Sequence, residues 1–258
     1  MVSSRQSWRR SLATLVLLML ASACGTSDGS TSLLPTGATG RVRFVNLISD
    51  TTRARVNLIL EQVQWNVNQI YGNATPATLA APNTAIYSAI LTGSRSLVLK
   101  RTADTATTVA TFPLTITTGA DYTVYATGGA AASTIAPVIT TDTNTAPTVG
   151  AARVRVVHMA PTAGAVDVFV TAVGADLALA TPTLANVPVR GAAYLPSVAA
   201  GTYQVRVVPA GTAPAVRAAA VAINLASIVI PANSARTIIA ADNNVGGAPF
   251  RFITLVDR

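Results

Sequence analysis

A seven-residue stretch, Arg41-Val42-Arg43-Phe44-Val45-Asn46-Leu47, decides the fold, because basic and apolar residues alternate at its start. Alternation with a period of two is typical of a β-strand, so we expect the apolar side chains to face a core and the arginines to face the other way. The pattern returns 112 residues later as Arg153-Val154-Arg155-Val156-Val157-His158-Met159. The chain therefore predicts two related β-domains.

The rest of the chain repeats in the same order. Residues 56–60 correspond to 166–170, residues 122–128 to 236–242, and residues 139–142 to 254–257. Short segments rich in Val, Ile, Thr and Tyr alternate with Gly, Pro, Asn and Asp, at spacings typical of Ig-like sandwiches with about seven strands each. We predict an all-β chain with two tandem Ig-like antiparallel β-sandwich domains, at residues 40–145 and 150–258, joined by a turn-rich linker.

Residues 1–23 have the features of a lipoprotein-type signal peptide. Three arginines precede the apolar run at residues 12–20, and Ala21-Ser22-Ala23 supplies the small residues of a cleavage site. The apolar run is shorter than the roughly 20 residues that a membrane-spanning helix needs. Residues 24–39, rich in Gly, Ser and Thr, are predicted to form a flexible tether.

The single cysteine, Cys24, directly follows this cleavage site. The arrangement resembles the bacterial lipoprotein signal, in which the cysteine thiol receives a diacylglyceryl group; an ordinary secretory signal is the alternative. The resemblance implies export and a membrane anchor on Cys24 in the cell envelope. Gly25, where Asp would be associated with inner-membrane retention, points to the outer membrane or cell surface.

The composition excludes several classes of protein. With 50% hydrophobic and 11% charged residues, the chain is not intrinsically disordered. One Cys and one His cannot form a disulfide framework or a His/Cys zinc site, and we predict no metal and no cofactor. Without the signal peptide, 15 basic and 10 acidic residues leave a net charge of +5. The cations form no long run, so we predict no nucleic-acid partner and expect them on solvated strand faces.

The lone histidine, His158, is the obvious candidate for catalysis. It could act as a base with Asp167, nine residues further along the chain. However, Asn46 occupies the equivalent position of the first repeat, which suits a side chain that holds a turn. The chain also has no Gly-x-Ser-x-Gly nucleophile motif. We therefore predict no catalytic residues and no enzyme; an envelope hydrolase or sensor component using His158 and Asp167 is the alternative.

One segment of the first repeat, residues 65–73, is richer in aromatic and amide side chains than its counterpart in the second. Aromatic rings with neighbouring amides suit the recognition of sugars, so Trp65, Asn66, Asn68 and Tyr71 are the candidate binding residues. The alternative is a tryptophan packed on its own sandwich.

The stretch at residues 153–170 resembles the domain of unknown function 4397 family. That family combines a strand, a His, a Ser-Pro pair and Val-Asp-Val-Tyr; here Ala160 precedes Pro161, and Phe169 follows Val166-Asp167-Val168. The first repeat is more divergent. Two tandem copies would cover nearly all of residues 40–258. The resemblance implies exported, envelope-associated β-sandwich domains, often in tandem, and implies no activity.

Together these features predict a non-catalytic cell-envelope lipoprotein. Its two domains are expected to act as a binding, adhesion or structural module. The expected partners are the membrane, through Cys24, and an envelope protein or a polysaccharide. A glycan-binding module using Trp65 and Tyr71 is a further alternative. No oligomeric state is predicted.

Overall fold

The computed structural model describes residues 36–76, 86–129 and 134–258. Residues 36–258 group as one compact unit. The predicted signal peptide, Cys24 and most of the predicted tether lie outside the described residues. Across the described ranges, no helix is both long and apolar enough to cross a membrane.

The first half of the described chain contains nine strands. These are β1 (Thr39–Ile48), β2 (Val56–Leu60), β3 (Val63–Gln69), β4 (Ala74–Thr75), β5 (Ser88–Leu91), β6 (Gly93–Arg101), β7 (Asp104–Ile116), β8 (Asp121–Gly128) and β9 (Ala136–Asp142).

The second half contains nine more strands and two short 3-10 helices. The strands are β10 (Ala151–Met159), β11 (Val166–Thr171), β12 (Leu184–Val187), β13 (Ala192–Tyr194), β14 (Val198–Ala199), β15 (Gly201–Pro209), β16 (Ile223–Ile230), β17 (Ala235–Ala241) and β18 (Arg251–Val256). The 3-10 helices are Pro161–Ala163 and Pro214–Val216.

Each half consists of two sheets, and the strand order is the same in both halves. The first half has sheets β4-β1-β8-β9, with β5 also on β1, and β3-β2-β6-β7. The second half has β13-β10-β17-β18, with β14 also on β10, and β12-β11-β15-β16. The predicted all-β sandwich fold is confirmed.

The pairing is antiparallel with one exception in each half. Strand β1 runs parallel to β8, and β10 runs parallel to β17. These two parallel pairs were not predicted from the sequence. They arise because the chain leaves the end of β1, forms the strands of the other sheet and then enters β8 in the same direction as β1. Parallel pairing requires a long crossover connection of this kind.

Alternate residues of the central strands form the core of each half, as the sequence predicts. Val42 and Phe44 of β1 are fully buried with side chains of β6 and β7. Val154 and Val156 of β10 are likewise buried in the second half, with side chains of β11 and β15.

The opposite faces of β1 and β10 are not solvated. Arg43 and Arg155 are each only 2% exposed. The expectation of solvated faces is wrong for these two arginines, because the sheets that carry β1 and β10 pack on each other. Apolar side chains from both halves form one cluster at this contact: Val45, Leu47, Tyr125, Val157, Met159, Ile239, Ala241 and Leu255.

Candidate functional site

A polar groove lies at the edge of the first half, where the edge strands of its two sheets approach each other. Strand β3 is the edge of one sheet and β4 is an edge of the other. The cavity has a volume of about 470 Å³ and is called the Trp65 groove below. It is lined by Trp65, Asn66, Val67, Asn68, Gln69, Asn73, Ala74, Thr75, Pro76 and Ser88.

A tight hairpin and local irregularities bring these side chains to the groove. Glu61 and Gln62, between β2 and β3, both have positive φ, as the two-residue hairpin turns favoured between twisted strands require. The pairing of β2 with β3 then shifts register around Leu58. Such shifts redirect side chains at a sheet edge. Asn68 also has a positive φ, and its backbone N–H donates to Asn57 Oδ1 at 2.9 Å.

Gln69 is a buried residue that lines the Trp65 groove. Its side chain is 4% exposed. Its Oε1 accepts hydrogen bonds from Thr75 Oγ1, at 2.6 Å, and from Asn66 Nδ2. Its Nε2 has no hydrogen-bond partner within the described part of the chain. A buried N–H donor without an acceptor is costly, so this atom favours a ligand that supplies an oxygen.

Trp65 forms one wall of the groove. The indole is half-buried and packs against the core of the first half. Its Nε1 donates to Ser88 Oγ at 3.1 Å, which fixes the orientation of the ring. The Trp65 ring therefore packs on its own sandwich and also lines a cavity.

The structure brings together three of the four candidate binding residues. Trp65, Asn66 and Asn68 line the groove, and Asn68 Oδ1 accepts from Arg55 Nη1 at 3.1 Å. Tyr71 lies elsewhere. It packs on the apolar cluster between the halves, and its hydroxyl donates to the carbonyl of Asp242. Burial raises the pKa of Tyr71 to about 12.

Sequence reasoning missed the groove residues that come from other strands. Gln69 was within the amide-rich segment, but nothing in the sequence distinguished it from the neighbouring amides. Thr75 and Ser88 carry no recognisable signal, because their contribution depends on the approach of a second sheet.

His158 and Asp167 are each engaged by backbone groups rather than by each other. His158 Nε2 donates to the Gly164 carbonyl at 2.6 Å, and Nδ1 accepts from the Ala160 N–H at 3.4 Å. Burial lowers the pKa of His158, against the Gly164 hydrogen bond and the charge of Asp242. The carboxylate of Asp167 accepts from the backbone N–H groups of residues 186 and 211.

Asn46 of the first half makes hydrogen bonds equivalent to those of His158. Its Oδ1 accepts from the Ile48 N–H at 3.1 Å, two residues ahead, as His158 accepts from Ala160. Its Nδ2 donates to the Ala54 and Gln69 carbonyls. Both side chains therefore hold the chain where a central strand ends.

Among the described residues, the ion pairs with both partners buried lie at the contact between the halves. Arg43 of the first half binds Asp257 of the second, with Nη2 to Oδ1 at 2.7 Å. In the reverse direction, Arg155 of the second half binds Asp142 of the first. Arg43 Nη2 also lies 3.6 Å from Asp142 Oδ2.

The electrostatics of Asp142 illustrate how these charges are held. Burial alone would raise the pKa of its carboxyl, but hydrogen bonds and charge from Arg155, with further hydrogen bonds from Thr123 and Tyr87, hold that pKa below its usual range. Groups with perturbed pKa values often mark functional sites. Here each buried carboxylate is matched by a buried guanidinium, so the cluster is a structural contact.

A chain of two-sheet sandwiches with a polar groove at an edge strand defines the class: an all-β sandwich protein. Residues 40–169, half of the chain, match the family described as domain of unknown function (DUF4397). The chain belongs to this family. The match begins in β1, spans the first half and ends within β11.

Other comparisons give a limited likeness. No curated protein matches the chain. One similar solved structure is CBMbc, of family CBM26, from Amy13K of Eubacterium rectale in complex with maltoheptaose. The two chains are 9% identical, the match covers 83% of this chain and 95% of that one, and the TM-score is 0.22.

Proposed function

We propose that the protein is a non-catalytic cell-envelope lipoprotein that binds a polysaccharide in the Trp65 groove. In this proposal the chain is exported, Cys24 carries the lipid anchor at the outer membrane or cell surface, and the two halves are tandem copies of one domain. The shared strand order of the halves supports the last point.

The observation that carries the binding proposal is the unpaired Nε2 of Gln69, a residue that lines the same groove as Trp65. Sugars combine hydroxyl groups, which accept hydrogen bonds from amides, with apolar C–H faces that pack on aromatic rings. The groove offers both contacts at neighbouring positions. Its volume also lies within the range of about 300–1,000 Å³ that is usual for ligand sites.

The hydrogen bonds of His158 and Asp167 support the non-catalytic part of the proposal. A general base must have a nitrogen free to take a proton. Both ring nitrogens of His158 are hydrogen-bonded to backbone groups, and Asp167 is bound to other backbone groups. The alternative of a hydrolase or sensor component gains no support from this arrangement.

Tryptophan fluorescence gives a direct test of glycan binding. The chain has two tryptophans, and one of them, Trp8, lies in the predicted signal peptide. In the mature protein Trp65 is then the sole indole, so titration with soluble envelope oligosaccharides should change its emission. Gln69→Leu removes the unpaired donor and should weaken binding about 3- to 10-fold.

Gln64→Leu is the matched control, because Gln64 is exposed on the same strand but does not line the groove. It should bind like the unmodified protein. Equal affinity of Gln69→Leu and Gln64→Leu would contradict the proposed site. An emission spectrum unchanged by every envelope oligosaccharide tried would remove the glycan proposal altogether.

The lipid anchor is tested separately. Cells fed labelled palmitate should incorporate it into the unmodified protein and not into Cys24→Ser. Labelling that persists in the variant would place the lipid elsewhere, and an unlabelled native protein would leave an ordinary secretory signal as the explanation.

A further inference from the structure

A second cavity lies at the contact between the two halves, away from the Trp65 groove. It has a volume of about 740 Å³ and is called the junction cleft below. Described residues just after β1, β8, β10 and β17 contribute to it, among them Ser49, Gly129, Thr162 and Asp242. Because β1 ends beside β8 and β10 ends beside β17, the chain segments that follow the two strands of each pair lie close together.

The junction cleft contains a buried carboxylate oxygen without a partner. Asp242 is 2% exposed. Its Oδ1 accepts from Thr162 Oγ1 at 2.9 Å, and its carbonyl accepts from the Tyr71 hydroxyl. No donor among the described residues reaches Oδ2. The Nε2 of the nearby His158 is already bound to Gly164, so this ring does not supply one.

The cleft also contains a guanidinium group that binds nothing within the described ranges. Arg190 is exposed, with φ of 66°, an uncommon conformation for a residue with a side chain. Its backbone N–H donates to the His158 carbonyl at 2.7 Å, which holds it in place. The other two charges that line the cleft, Asp50 and Arg53, bind each other. One buried carboxylate oxygen and one guanidinium therefore remain without a partner among the described residues.

We infer that the junction cleft binds a short peptide in its zwitterionic form. The terminal ammonium donates to Asp242 Oδ2, and the terminal carboxylate accepts from Arg190. An ammonium is the donor that compensates a buried carboxylate most strongly, and guanidinium groups match carboxylates in shape and charge. The inference does not depend on the glycan proposal, because the two cavities share no residue.

Other ligand classes fit the cleft less well. Among the described residues, no group of three His, Cys, Asp or Glu side chains could hold a metal ion. The described lining contains no aromatic ring on which a sugar could stack. A simple anion would satisfy Arg190 but would meet the charge of Asp242.

The test is calorimetric titration of the full chain, in detergent, with three peptides. Trialanine has both terminal charges, N-acetyl-trialanine lacks the ammonium, and trialanine amide lacks the carboxylate. We expect trialanine to bind at least about tenfold more tightly than either blocked peptide, since each loses one charge-assisted hydrogen bond. No heat change with trialanine up to ~10 mM, or equal binding of N-acetyl-trialanine, would overturn the inference.

Two variants assign the contacts. Asp242→Asn keeps the size and the acceptor for Thr162, and should weaken trialanine binding about tenfold while leaving the weak binding of N-acetyl-trialanine unchanged. Arg190→Gln should instead abolish the preference for trialanine over trialanine amide. Asp176→Asn is the control, since Asp176 is exposed and outside the cleft. Undiminished binding by Asp242→Asn would overturn the assignment, and if that variant fails to fold, the three peptides still decide the question.

Discussion

At the scale of single residues, the two buried arginines account for how the halves are joined. Arg43 is held by Asp257, Thr123 and a backbone carbonyl of β18, and its guanidinium lies 4.8 Å from the Tyr87 ring centre. Burying a charge is costly unless the group is paired and hydrogen-bonded. Every such contact therefore becomes necessary once the arginine is enclosed.

Removing Arg43 should be strongly destabilising. Arg43→Met leaves the Asp257 carboxylate buried without its guanidinium partner, which costs about 3–5 kcal/mol of unfolding free energy. Arg41→Met is the matched control, because the Arg41 side chain is 56% exposed although it pairs with Asp121. That change should cost about 1 kcal/mol or less. Urea denaturation measures both, and similar losses would show that the burial of Arg43 is unimportant.

His158 makes stability depend on pH. Burial lowers its pKa below the ordinary value of 6.5, so the folded protein keeps the ring neutral where the unfolded chain is protonated. The unfolded state then binds more protons, and the unfolding free energy falls as pH drops below about 6.5. In His158→Asn, which copies Asn46, this contribution is absent. Urea denaturation between pH 7 and pH 5 should show a smaller decrease for the variant, and parallel profiles would disprove the assignment.

At the scale of elements, β1 and β10 are buried on both faces. The sequence correctly predicted their strand character and the core face of each, because a period of two determines which residues share a side. It did not predict what covers the other face. An arginine on a strand usually faces water, and the partner of Arg43 lies 214 residues away in the sequence. The parallel pairing of β8 with β1 and of β17 with β10 was not predicted for the same reason, since it joins segments that are distant in the sequence.

The double burial of β1 has a measurable consequence. Leu47 is 2% exposed and belongs to the apolar cluster between the halves. Leu47→Ala should lower the unfolding free energy by about 2–5 kcal/mol, since the cavity cannot close fully. Leu179, which is 86% exposed, provides the control. Leu179→Ala should change stability by no more than about 0.5 kcal/mol in the same denaturation experiment.

Strand β3 shows how much of the Trp65 groove could be predicted. The amide-rich segment was identified, and Trp65, Asn66 and Asn68 do line the cavity. Tyr71 follows the end of the strand, where the chain turns towards the second half and buries the ring against it. The direction in which Tyr71 points depends on the backbone conformation of the turn before it, and the amino-acid composition of the segment does not predict that conformation.

At the scale of the whole molecule, the shared contact should make both halves unfold together. Asp257→Asn changes a residue of the second half, whereas Trp65 reports on the first. If the halves are coupled, the denaturation midpoint measured by Trp65 fluorescence should shift as much as the midpoint measured by circular dichroism of the whole chain. A fluorescence midpoint that stays in place while the other moves would show independent domains.

The pairing of Arg43 with Asp257 also sets an order of events during synthesis. The chain is made from its amino terminus, so Arg43 is made long before Asp257, the carboxylate that lies nearest to it. The core of the first half can form from its own side chains. The opposite face of β1 stays in contact with water until β17, β18 and Asp257 have been made. Until then the first half exposes an apolar surface and an arginine that lacks its Asp257 partner, and exposed apolar surface of this kind promotes aggregation.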